Sequence, residues 1–247
     1  SVGVGVMVES MRGSVNNWLS DLLSADLYVV SKCFDEGAHL PAAVVKEIPG
    51  LERVATFSRY RHLSLPLAGR RVGVVGTGAT GIQVIAEIAA EVGELTVFQR
   101  RPNWSPPLNK SAISEAEMAE IRSRYGEIFA NCAASPNGFE HVPDRRGFWN
   151  LTREERVAFW DQLYDQPGFA ILAGNFPEIF VDDEANREIS EYIANRIRGR
   201  VHDPELAEKL IPRDHGFGQQ RLPLETNYFE AYNRDNVRLV DISETPI

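Results

Sequence analysis

Apolar residues along this chain change rhythm, and the changes mark out its elements. VGVV at 72–75 is a short, continuous, mostly β-branched run, the pattern of a strand buried on both faces of a parallel sheet. A 3.6-residue rhythm follows, with Ile82, Ile85, Ala86, Ile88 and Ala89 on one stripe of a helix that starts near Thr80. Residues 95–98 return to the apolar run, so the unit reads strand, helix, strand. ADLYVV at 25–30 and VRLVD at 237–241 predict two more strands.

The middle of the chain is helical. Ser114 and Glu117 make a capping box ahead of Met118, Ile121, Tyr125, Ile128, Phe129 and Cys132, a stripe expected to face a core. Thr152 and Glu155 open a second helix, predicted to bury Val157, Trp160, Leu163 and Tyr164. A third, over 183–198, turns Ala185, Ile189, Ile193 and Ile197 inward. Asp203 and Pro204 cap and start a short helix over 205–210. Residues 31–67, with turns at Leu40-Pro41 and Ile48-Pro49-Gly50, read as irregular, as does the chain from 211, with Pro212, Gly216, Gly218 and Pro223. Together these patterns predict an α/β fold, a Rossmann-like unit with a helical insertion.

Chemistry enters where the first predicted strand meets its helix. Gly76, Gly78 and Gly81 have G-x-G-x-x-G spacing: the first permits a tight turn, the second lets backbone approach a pyrophosphate, and the third lets the helix pack on the strand. The helix then points its unpaired N–H groups and positive dipole end at the phosphates. Thr77, Ala79 and Thr80 within the turn, and Gln83 on the helix, are counted with the glycines as cofactor-binding. An NAD site carries an acidic residue about 20 positions past the glycines. This chain has Gln99, Arg100 and Arg101 there. Guanidinium groups match a ribose 2′-phosphate in charge and fork geometry, so the expected cofactor is NADP(H).

Composition narrows the field. A net charge of −9 over 247 residues argues against a nucleic-acid or anionic-membrane surface. Cys33 and Cys132 are the only cysteines and lack metal or redox spacing, so no metal site, disulfide framework or paired redox motif is expected. His39 and His62 read as turn or surface residues. Gly3 and Gly5 do not make a second nucleotide turn, since Val8 takes the third glycine position. No apolar run reaches the ~20 residues of a membrane span and no signal peptide opens the chain, so a cytoplasmic setting is expected. The end at Glu244-Thr-Pro-Ile247, soon after a strand, reads as a truncation.

Three stretches, GTGATGIQ at 76–83, VFQRRPNW at 97–104 and the segment 203–247, resemble the middle of a Baeyer–Villiger monooxygenase of the cyclohexanone and phenylacetone monooxygenase type. That resemblance implies a flavoprotein with two dinucleotide-binding domains, FAD and NADP(H) as cofactors, and a small ketone or heteroatom substrate with O2. A C4a-peroxyflavin would insert one oxygen to give an ester or lactone, or oxidise a heteroatom. It implies that Arg221, in FGQQR, is the active-site arginine and that Arg100 meets the 2′-phosphate. It also implies a division into 1–68 as remnant flavin-domain strand and linker, 69–109 as the NADP-binding unit, 110–210 as the insertion and 211–247 as the return segment.

The sequence departs from that family at three places. Gln220 replaces a lysine that also contacts the 2′-phosphate, which leaves more of that task to Arg100 and Arg101. Thr56 and Tyr60 stand where the signature F-x-G-x-x-x-H-x-x-x-W-P has its histidine and tryptophan. Ser31-Lys-Cys33 replaces an A-T-G, and residues 42–47 are extra. The competing expectation is a non-catalytic NADP-binding module without a flavin domain.

Overall fold

The computed structural model describes residues 27–30, 53–56, 67–135 and 138–243, the first two segments as backbone strands. Cys33, His39, His62, Tyr60, the Gly3 and Gly5 pair and residues 42–47 lie outside the described residues, and Thr56 is described only as the last residue of a strand. Contacts divide the chain into a sheet unit (Ser1–Asn103, Arg198–Ile211, Asn227–Ile247) and a helical unit (Trp104–Ile197, Pro212–Thr226). The chain therefore crosses between units at 103/104, away from the sequence-based division at 109/110, and the segment after 210 contributes to both.

Five parallel strands make one sheet: β1 (Leu27–Val30), β2 (Arg53–Thr56), β3 (Arg71–Val75), β4 (Glu94–Gln99) and β5 (Val237–Asp241), in the order β2-β1-β3-β4-β5. The fold is α/β, as the patterning predicts. β2 corrects the expectation that 31–67 is wholly irregular: at four residues it is too short for period-2 alternation to show. The strands expected at 25–30 and 237–241 form, and both join this sheet: β1 pairs with β3 and β5 with β4.

The core of the sheet unit follows the apolar runs. Val72, Val74, Leu95, Val97 and Phe98 are buried from the strands, and Ile82, Val84, Ile85 and Ile88 from α1 (Ala79–Ile88). Ala86, expected on the inner stripe, is half-buried. The far end of this helix is closed by side chains from the segment before β5. Arg234 Nε and Asn236 Nδ2 donate to Ala89 O at 3.1 and 3.0 Å, and Asn236 Nδ2 also reaches Val92 O at 3.0 Å. They satisfy carbonyls that a helix end leaves without partners.

In the helical unit the capping box at Ser114 forms, but the stripe behind it is not core. It splits into α2 (Glu115–Ser123) and α3 (Tyr125–Ala134), neither with a buried residue. Phe129 is 64% exposed, while Met118, Ile121, Ile128 and Cys132 are only half-buried. Helical spacing puts residues on one face; it does not supply a partner for that face. The second box opens α4 (Arg153–Tyr164), which buries Trp160 and Leu163 as expected. Val157 and Tyr164 are half-buried, and Arg156 is the unforeseen buried residue. After the short α5 (Ala170–Ala173), α6 (Asp183–Arg198) buries Ala185, Ile189, Ile193 and Ile197. Back in the sheet unit, Asp203 caps α7 (Pro204–Lys209), and α8 (Tyr228–Ala231) packs on α1.

Candidate functional site

Strand order places the glycine turn. The chain runs outward from β1 to β2, then resumes at β3 on the other side of β1 and continues to β4 and β5, so direction reverses between β1 and β3. Ligands of open α/β sheets bind outside the carboxyl ends of strands at such a reversal. Val30 pairs with Val75 at those ends, and Gly76 is the next residue.

The turn has the features an anion site needs. Gly76 has φ +95°, a conformation that disfavours side chains, and open space where a Cβ would stand. Gly78 is the N-cap of α1 and supplies no side chain to close it, and the first turn holds no acidic residue. The helix start is thus left to backbone N–H groups, which favour a phosphate. Gly81 and Thr77 are buried, Gly78, Ala79 and Thr80 half-buried, and Gln83 exposed.

The basic tip is fastened to this turn. Gly76 N donates to Phe98 O at 2.8 Å, and the Thr77 hydroxyl to Arg101 O at 2.9 Å. Arg100 and Arg101 are both exposed. An open glycine cradle, with the backbone of two exposed arginines fastened to it, fits a dinucleotide carrying a 2′-phosphate. Thr77 is buried and committed to Arg101, a role that the motif spacing did not reveal. Its only signal was a hydroxyl-bearing residue between two glycines.

Gln220 and Arg221 belong to the helical unit, and both are exposed. The loop carrying them is set by buried neighbours. Phe217 is fully buried, its N–H donates to Ser190 Oγ at 2.9 Å, and its carbonyl accepts from Asn186 Nδ2 at 2.9 Å. Leu222 and Glu225 are buried on the far side, with Glu225 N donating to Pro106 O at 3.0 Å. Arg221 therefore stands on a loop pinned at both ends. Just before it, His215 Nδ1 lies 2.7 Å from Asp214 Oδ1, a pairing that the sequence reading did not consider. Among the described residues no cluster of His, Cys, Asp or Glu could hold a metal ion, and no helix is long and apolar enough to cross a membrane.

No protein-family model matches the chain. It is 48% identical over 179 residues to 2-oxo-Delta(3)-4,5,5-trimethylcyclopentenylacetyl-CoA monooxygenase of Pseudomonas putida, covering 72% of this chain and 33% of that protein. Identity to the acetone monooxygenase (methyl acetate-forming) of a Gordonia species is 42% over 191 residues, 77% of this chain and 36% of the relative. Cyclopentanone 1,2-monooxygenase of a Comamonas species aligns at 30% over 258 residues, 93% of this chain and 47% of the relative. Among solved structures, oxidized steroid monooxygenase bound to NADP superposes with TM-score 0.74 at 37% identity, over 76% of this chain and 36% of that one. OTEMO in complex with FAD and NADP gives TM-score 0.73 at 46% identity, over 74% and 34%. The chain thus spans between a third and just under half the length of these curated relatives. Over that span, in sequence and in fold, it is a relative of the Baeyer–Villiger flavin monooxygenases.

Proposed function

We propose that this chain is the NADP-binding and helical part of an NADPH- and FAD-dependent monooxygenase. The enzyme adds one oxygen from O2 to a small ketone, giving an ester or lactone, or to a heteroatom. The observation that carries the reading is the open glycine turn fastened through Thr77 to an exposed Arg100–Arg101 tip. Sequence similarity to named ketone monooxygenases, and to a phenazine N-monooxygenase, supports the reaction class.

In this reading Gly78, Ala79, Thr80 and Gly81 bind the pyrophosphate through backbone N–H groups, with Gln83 beside them, while Gly76, whose N–H is held by Phe98 O, leaves the room for it. Arg100 and Arg101 bind the 2′-phosphate, and Gln220 carries no charge to share that task. Arg221 orients the nicotinamide and offers a permanent positive charge where negative charge builds up during oxygen transfer; a guanidinium suits this because it stays protonated at any working pH. When bound, the two cofactors would supply the reducing equivalents and the oxygen-activating chemistry. FAD is assigned to the whole protein, and none of the described residues is given to it. A cytoplasmic location is part of the same proposal.

The test is NADPH oxidation by the whole protein that carries this chain, with cyclic ketones and sulfides as substrates. Expected are flavin absorbance, ketone-dependent NADPH consumption and a lactone product. A flavin-loaded protein that consumes no NADPH with any ketone or sulfide overturns the proposal.

A further inference from the structure

The backbone on either side of Arg100 is fixed. Before it, Gln99 O accepts from Ile242 N at 2.9 Å, and the buried Gln99 side chain donates to Lys209 O at 2.6 Å. After it, Arg101 O accepts from the Thr77 hydroxyl at 2.9 Å. Thr77 is 5% exposed, and a hydroxyl has one proton to donate. With that proton on Arg101 O, Thr77 does not also donate to a phosphate oxygen.

We propose that Thr77 is a specificity-positioning residue: it latches the Arg100–Arg101 tip to the glycine turn and so sets the spacing between pyrophosphate and 2′-phosphate sites, without its hydroxyl donating to the nucleotide. The inference rests on the NADP reading above. Its physical basis is preorganisation, since a tip already held in place loses less conformational freedom when a 2′-phosphate arrives. NADH has no 2′-phosphate. The groups it shares with NADPH do not meet the arginine tip, so the latch acts on the preference between the two nucleotides.

The experiment is titration of the full chain with NADPH and with NADH, following nicotinamide fluorescence, for the unchanged protein, Thr77→Val and Thr77→Ser. The unchanged chain is expected to prefer NADPH. Thr77→Val removes the donor and is expected to cut that preference about fivefold through weaker NADPH binding, the scale of one hydrogen bond. Thr77→Ser keeps the donor and retains the preference. Thr77→Ala, which also lacks the donor, serves where Thr77→Val does not fold. Equal losses for both nucleotides, or an unchanged preference without the hydroxyl, overturn the latch and leave the NADP reading standing. An unchanged protein that does not distinguish NADPH from NADH overturns the NADP reading, and the latch with it.

Discussion

Arg156 and Glu188 meet inside the helical unit as a bidentate pair, with Arg156 Nη2 2.9 Å from each carboxylate oxygen. The Arg156 side chain is 8% exposed; its Nη1 donates to Leu151 O at 2.6 Å and Phe148 O at 3.3 Å, and its guanidinium lies 4.4 Å from the Phe148 ring centroid. One side chain thus ties α4 to α6 and to the turn before α4. Arg156→Ala leaves a carboxylate and two carbonyls without it and is expected to destabilise the unit by about 3 kcal/mol. Arg156→Lys should recover only part of this, because an ammonium lacks the planar fork. Urea denaturation of both variants measures the difference.

Gly216 is the tight point of the loop that leads to Arg221. A Cβ there would stand 1.7 Å from Asn186 Oδ1, and Asn186 is buried, with Nδ2 bonded to Ile179 O at 2.7 Å and Phe217 O at 2.9 Å. Gly216→Ala must displace that amide, so a loss of about 1–3 kcal/mol is expected. Gly126, which has nothing within 4 Å of its Cβ position, is the control: Gly126→Ala should leave thermal stability unchanged or raise it.

Arg100 is expected to read the 2′-phosphate directly. Arg100→Ala should weaken NADPH binding about tenfold to a hundredfold, as for loss of a hydrogen bond to a charged group, and leave NADH binding nearly as it was. Calorimetric titration with both nucleotides decides; equal losses would refute the phosphate role.

Arg221 sits on a loop whose position is set by Phe217 and Leu222, both buried, so removing its guanidinium should not unfold the loop. In the whole protein, Arg221→Ala is expected to abolish product formation while NADP binding persists. Retained ester formation, measured by gas chromatography, would contradict its assignment.

Glu230 gives the sheet unit an acid sensitivity. Burial pushes its carboxyl up, but hydrogen bonds from Arg200 at 2.6 and 2.8 Å outweigh this and hold it below the ordinary range. A depressed folded-state value adds stability above the unfolded value, and that stability is lost as pH falls through the folded one. The melting temperature should therefore fall on acidification below about pH 4.3. Glu230→Gln should be less stable at neutral pH and show a shallower acid loss. Parallel acid curves for the two proteins would remove Glu230 from the account.

The sequence by itself determined the β3-α1-β4 unit, the inward face of α6, both capping boxes and the glycine turn with its arginine tip. These depend on local rules: backbone freedom at glycine, helical spacing and side chains that cap within three residues. Tertiary structure alone decided the rest. The apolar stripe of α2 and α3 stays exposed or half-exposed because periodicity cannot provide a covering partner. Arg156 is buried because Glu188, 32 positions away, neutralises it. β1 and β5 join the sheet of β3 because strand pairing is a long-range choice that a strand of four or five residues does not specify. Thr77 belongs to the same class: its spacing suggested a nucleotide contact, and only the fold, by bringing Arg101 O within 2.9 Å across 24 residues, gave its hydroxyl another partner.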